Sequence, residues 1–424
     1  MSSMTLAIII FILGYILIAS EKLPKTFVAL LAGFFMIILH IESEEKAFSH
    51  HIDFNVIFLL MGMMFLVKVI QQTGLFEYLA IKLSKMVNAN PFKIMVVLFL
   101  LTAVVSAFLD NVTTVLLISP ISILIANEMN ISPMPFLITQ ILGSNIGGTA
   151  TLIGDPPNIL IGSAANLSFM DFLKNLTPVI LIQLGVLSII FYFVFRKDMK
   201  VSNTDRARIM SFNEKSMLRD KPLMIKSLLI FSLVIIGLLL HSVLHLEASI
   251  VAFSGAILLL VISKIEPEEA FKDIEWTTLF FFIGLFIMVG GLIESGAIKR
   301  LSEEVIKITG GDIKKTSTII LWFSGIASGL IDNIPYVATI IPLIKELAIT
   351  MGDKAILPIW WALSLGACLG GNLTIIGASA NVVVAGIAKK NGYPITFWEF
   401  LKYGVPLSLL TILISYLYIL IVYF

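Results

Sequence analysis

AFLDNVTTVLLISP, residues 107–120, sets a carboxylate and a carboxamide, Asp110 and Asn111, inside an otherwise apolar run. The arrangement returns as GLIDNIPYVATIIP, residues 329–342, where Asp332, Asn333 and Pro342 stand 222 positions after Asp110, Asn111 and Pro120. Gly62 and Gly74 recur at the same offset as Gly284 and Gly296. One insertion later, GSNIGGTATLIGDPPN (143–158) aligns with GACLGGNLTIIGASAN (366–381), sharing seven of sixteen residues. Order and spacing kept over so many turn-forming residues identify a duplicated chain, with a period far too long for a solenoid.

The composition says where such a chain lives. Of 424 residues, 58% are hydrophobic and 13% charged, against roughly 25% charged in a soluble domain. The mean hydropathy is +1.00, which reads as an all-α polytopic membrane protein. A net charge of +1 and the lack of a basic, aromatic-interleaved patch exclude a nucleic-acid partner. The single cysteine, Cys368, excludes an internal disulfide and a multi-thiolate metal site. No nucleophile–base spacing and no Walker loop is present, so the chain reads as no enzyme. Its energy must then come from an ion gradient or a separate ATPase subunit.

A helix needs about 20 apolar residues to cross a hydrocarbon core of about 30 Å. By that measure spans fall near 4–20, 26–41, 54–72, 135–165 and 178–195, then 224–241, 246–263, 277–293, 356–388 and 404–424. Segments 92–126 and 315–350 are apolar but broken by the Asp-Asn pairs, and read as two re-entrant helical hairpins. Residues 1–195 form one repeat and 223–424 the other. Between them, 196–222 carries eight Lys or Arg against four acids, which places this loop in the cytoplasm. Five spans per repeat put both termini outside and turn the second repeat upside down. The first span lacks a basic leader and a cleavage site and reads as retained. Leu75, Leu79, Leu83 and Met86 share one helical face, as do Ile298, Leu301, Val305 and Ile308, so two amphipathic helices should lie along the interfaces.

Inverted repeats with broken helices are the architecture of secondary transporters, whose site lies near the midplane where the repeats meet. Irregular backbone at that depth must be buried in protein or line a polar cavity. Gly147, Gly148 and Gly154, with Gly370, Gly371 and Gly377, should let the chain unwind and approach a ligand closely; freed amides then favour an anion and freed carbonyls a cation. Asp110 and Asp332 each cost at least about 3 kcal/mol in an apolar setting. They are candidates to hold a coupling proton or sodium ion, helped by Asn111, Asn333, Thr113, Thr114 and Thr339, or alternatively to cap the following helices. Asp155 faces Ala378 in the alignment, so the half-sites are unequal. Loop histidines His50, His51, His241 and His245 read as solvated, with no metal assigned beyond sodium near Asp110 and Asp332. Cys368 reads as a small packing residue or, alternatively, a contact for a thiophilic substrate.

SAFLDNVTTVLLISP followed by NIGGTATLIGDPPNILI resembles the arsenical-pump and melanosomal P protein branch of the ion transporter superfamily, related to the citrate-transporter-like permeases, over essentially the whole chain. The resemblance implies an elevator-like scaffold-and-transport-domain architecture, compatible with a homodimer. It also implies a first half-site of Asp110, Asn111, Thr113, Thr114, Asn145, Gly147, Gly148, Thr149, Asp155 and Asn158. The second half-site would be Asp332, Asn333, Gly370, Gly371, Asn372, Thr374 and Asn381. The expected function is secondary transport of a small anion or oxyanion across the cell membrane, coupled to protons or sodium, with no cofactor. A sodium/proton antiporter and an anion channel are the alternatives, and arsenite, chloride, phosphate-like oxyanions and dicarboxylates are open as substrates.

Overall fold

In the computed structural model, residues 2–20, 22–272, 274–353 and 355–424 are described, Asp198 by its backbone alone. Eighteen helices of ten or more residues occur among them. The first nine are α1 (Ser3–Ala19), α2 (Lys25–Ile38), α3 (Phe54–Gln72), α4 (Leu75–Met86), α5 (Pro91–Ser106), α6 (Asn111–Glu128), α7 (Met134–Thr149), α8 (Pro156–Ala165) and α9 (Thr177–Phe195). The second nine follow in the same order: α10 (Lys221–Leu240), α11 (Ala248–Ser263), α12 (Trp276–Glu294), α13 (Ala297–Thr309), α14 (Ile313–Leu330), α15 (Asn333–Met351), α16 (Leu357–Gly370), α17 (Ser379–Lys390) and α18 (Phe397–Tyr423).

The fold is all-α. Seven of these helices (α3, α6, α9, α10, α12, α15 and α18) are each long and apolar enough to cross a membrane, and α1, α2, α5, α11 and α16 are apolar but shorter. Large apolar side chains face outward, among them Leu13, Ile16, Leu31, Phe193, Leu229 and Ile421. In water such a belt would be a defect; in lipid it is the solvent-facing surface.

Length alone would count α6 and α15 as spans, yet both start at buried tips. The α5–α6 hairpin opens on the face that carries the basic loop. Below α5, Lys85 of α4 donates to Phe212 O at 2.9 Å and pairs with Glu214 at 2.7 Å. At the far end of α6, Asn130 donates to Asp205 at 3.0 Å. The α14–α15 hairpin opens on the opposite face, where Lys345 shares a cavity wall with His50 and Asp53. The repeats are therefore inverted.

Their helices pack across the repeat boundary. α2 lies on α12 and α11 on α3, and the duplicated Gly62 and Gly284 make the crossings close. A Cβ on Gly62 would meet Phe253 N at 2.7 Å, and one on Gly284 would meet Leu30 N at 2.5 Å. The other duplicated pair, Gly74 and Gly296, has φ of 77° and 78°, the left-handed turn that starts α4 and α13. Of the expected apolar faces, Ile298 is buried and Leu301 and Ile308 lie exposed, as an interfacial helix requires. On α4 the buried residues are instead Phe76, Ala80, Ile81 and Ser84, because the basic loop packs over that helix.

Candidate functional site

α7 stops at Thr149 and α8 begins at Pro156; α16 stops at Gly370 and α17 begins at Ser379. Side chains stitch both breaks in the same way. Asn158 donates to Thr149 O at 3.1 Å and Thr151 O at 2.9 Å, and its repeat mate Asn381 donates to Gly371 O at 2.7 Å and Thr374 O at 2.9 Å. Thr151 donates to Ala107 O, as Thr374 does to Gly329 O at 2.6 Å. Carbonyls stranded by an unwound helix cost free energy in a low-dielectric interior unless they are bonded. These asparagines and threonines bond them.

The glycines work differently from the expectation of close ligand approach. A Cβ on Gly147 would lie 2.1 Å from Ala103 O, one on Gly370 2.4 Å from Gly325 O, and those on Gly148 and Gly371 would press on the unwound segments of the breaks at Gly154 O and Gly377 O. They let α7 seat on α5 and α16 on α14. Asn145 joins the two breaks, donating to Asn372 at 2.8 Å and Asn381 at 2.9 Å and accepting from Asn111 at 3.2 Å.

The hairpin tips close on this frame. Asp110 accepts from Thr113 N at 2.8 Å and Asp332 from Ile334 N at 3.1 Å, so both do cap their helices. Thr339 is engaged with Pro335 O at 2.9 Å, while Thr114 is buried with its hydroxyl unbonded. Between the tips lies a cavity of about 190 Å³. Of the expected residues, Asp110, Asn111, Asp155 and Asn333 line it. Asn111 and Asn333 reach toward the Asp155 carboxylate from opposite hairpins, at 3.5 Å and 3.4 Å. Gly147, Gly148, Thr149, Asn158, Gly370, Gly371, Asn372, Thr374 and Asn381 lie behind its wall. Asp332 lines an adjoining cavity.

Lys25, Glu275, Thr278 and Ser379 also line the first cavity, and sequence reasoning did not single them out. Lys25 and Glu275 read in the sequence as loop charges at span ends, with nothing to join them to residues so distant in the chain. Exposed Glu275 and buried Asp155 mark the mouth and the floor. Thr26 of α2 bonds Thr277 O of α12 at 2.8 Å, and α12 follows the end of α11, which Lys226 of α10 touches beside the basic loop. The mouth therefore faces the loop side.

Three carboxyls, of Asp110, Asp155 and Glu275, share this cavity with one ammonium, Lys25. The arrangement favours a cation beside Asp110 and Asp155. The two helix starts differ as well. Pro156 and Pro157 remove the first two N–H groups of α8, so its terminus offers an anion little; the amides of Ser379 and Ala380 at the start of α17 precede that helix's own ladder.

Outside the cavity, two histidines depart from the solvated state expected of them. His241 is 9% exposed, accepts from Phe169 N at 3.2 Å and contacts Leu246 O at 3.0 Å through Nδ1. His51 lies 3.4 Å from Glu42 and 3.5 Å from Glu294. Among the described residues no group of three or more His, Cys, Asp or Glu is set to hold a metal. Cys368 is buried, 3.6 Å from Asn158, and is not among the residues that line the cavity.

The citrate transporter family profile matches residues 15–366. A 46 kDa membrane protein of Mycobacterium leprae is 45% identical, covering 98% of this chain and 97% of that one. An uncharacterized transporter of Mycobacterium tuberculosis is 44% identical over 99% and 98%. The P protein of Mus musculus is 32% identical over 96% of this chain and 59% of its own length. The crystal structure of the Alcanivorax borkumensis YdaH transporter shares the fold, with a TM-score of 0.59 at 12% identity over 99% of this chain and 98% of that one. Duplicated broken helices, a polar cavity between two hairpin tips and these relatives agree: the chain belongs to the citrate transporter family and is a multi-pass membrane transporter, not an enzyme.

Proposed function

We propose that this chain is a secondary transporter that moves a small anion together with a coupling cation, sodium or proton, through the cavity between the hairpin tips. The observation that carries the reading is the inequality of the two repeats around that cavity. The first repeat contributes Asp110 and Asp155 and a proline-blocked helix start, a setting for a cation. The second contributes the Asn333 amide and the open backbone amides at the start of α17, a setting for an anion. With the basic loop on the cytoplasmic side of the cell membrane, the cavity mouth faces inward. Transport then requires the hairpins and broken helices to carry the site across, as in an elevator.

The test is uptake of labelled citrate, the substrate class of the family's description, into proteoliposomes under imposed sodium or proton gradients. Gradient-driven uptake is the expected outcome, and Asp155→Asn should reduce it by about 100-fold, the loss of a buried charge contact worth about 3 kcal/mol. Undiminished uptake by a normally inserted Asp155→Asn protein would sink the site assignment. The excess of carboxyls also favours a second reading, sodium/proton exchange. It would show as sodium-driven pH change inside vesicles with no anion supplied, whereas arsenite or chloride as the anion would appear as competition with citrate.

A further inference from the structure

Asp110 and Asp332 are equivalent by sequence and unequal in company. Asp332 Oδ2 accepts from Lys25 Nζ at 2.7 Å and from Ser379 Oγ at 3.1 Å, and Lys25 Nζ also donates to Ser379 Oγ at 3.2 Å. The repeat mate of Lys25 is Glu247, in the second repeat, and that of Ser379 is Pro156, in the first. Asp110 therefore has neither partner. Among the described residues neither Asp110 nor Asp155 pairs with a lysine, arginine or histidine, although Lys25 lines their cavity as well as the one behind it. A mobile cation brought to Asp332 would meet the ammonium paired with that carboxylate and be repelled, whereas at Asp110 no ammonium is paired with the carboxylate.

We propose that Lys25 is a tethered counter-cation for Asp332, so that the chain takes its exchangeable coupling cation at Asp110 and Asp155 alone and not at one site per repeat. This rests on the reading above that the cavity carboxylates handle coupling cations. It departs from the symmetric expectation that both hairpin aspartates do so. Duplication supplied two acid sites, and the second has been closed by a side chain of the chain itself.

The experiment follows the melting temperature of the full-length protein in detergent, with sodium and protons as the two probes. Sodium chloride is raised against choline chloride at constant ionic strength, and pH is lowered in sodium-free buffer with every protein, wild type included, carrying Glu42→Gln, because that buried far-face carboxyl itself takes up a proton near pH 8. Wild type should show a one-site rise with one of the two cations, since a ligand of the folded state raises apparent stability with its concentration. Asp155→Asn should flatten that rise. Lys25→Met, which leaves the Asp332 carboxylate uncompensated, should melt lower without the cation and gain a second cation-dependent rise absent from wild type. The charge-balanced pair Lys25→Met/Asp332→Asn should return to the one-site curve. A Lys25→Met protein with the wild-type curve overturns the proposal but leaves the Asp155 result, and with it the coupling reading, standing. Should Lys25→Met fail to fold, the charge-balanced pair decides: a retained one-site response supports the tethered cation and a flat one overturns it. Flat curves for wild type with both probes overturn the coupling reading and this proposal together.

Discussion

Glu42 lies at the far face from the cavity mouth, 3% exposed, with neither carboxylate oxygen hydrogen-bonded. Burial, reinforced by the nearby Glu294 carboxylate and only partly opposed by Lys46, pushes its pKa up from 4.5 to about 8. An acid raised on folding stabilises the folded state while protonated: its contribution is full below 4.5 and is lost as pH rises through about 8. Burial holds His51 below its usual 6.5, so protonating it opposes folding only on the acid side of that value. On this face the Glu42 effect is not opposed by His51 between about 8 and 6.5, so lowering the pH through that window should raise the melting temperature. Glu42→Gln should make that slope shallower. An unchanged slope in the glutamine variant would show that another group carries it.

Among the elements, the crossings of α3 with α11 and α2 with α12 depend on one hydrogen atom each. Gly62→Ala and Gly284→Ala should each cost about 1–3 kcal/mol by overpacking against backbone that cannot turn aside, read as a lowered melting temperature. Gly386→Ala on α17, where an added Cβ meets nothing within 4 Å, should leave it unchanged or slightly raised. Equal effects at all three positions would mean that helix crossing does not set stability here. These glycines also show what the sequence makes legible. The 222-residue echo reveals the duplication, the two hairpins and the two helix breaks, because each depends on residues whose backbone behaviour is local. The same echo cannot say which glycines face a ligand and which face another helix; Gly147 and Gly370 proved to be packing residues. Lys25 and Asp332 stand 307 positions apart, and nothing local to either announces their meeting. Asp155 was legible as the odd charge between the repeats, and the cavity does close on it. His241 looked like a loop residue and is buried because α10 ends against the start of the short helix Phe169–Asn175.

For the whole molecule, the orientation can be read with one reporter. Cys368 is buried, so a Ser211→Cys substitution in the exposed basic loop puts the only accessible thiol on that face. In intact cells a membrane-impermeant maleimide should leave it unlabelled, and in inside-out vesicles it should be labelled. Labelling in intact cells would reverse the assignment of both faces and turn the cavity mouth outward.

The exchanged packing of α2 on α12 and α3 on α11 bears on how the protein is made. When α2 leaves the ribosome its partner is still more than two hundred codons away. At about 5–20 residues per second, the first half waits in the bilayer on the order of ten seconds or longer with its glycine-notched surfaces uncovered. The second half arrives as the surface those notches were cut for. A nascent chain of this design is therefore dependent on lipid, or on a membrane chaperone, to cover the vacant seats until synthesis is complete.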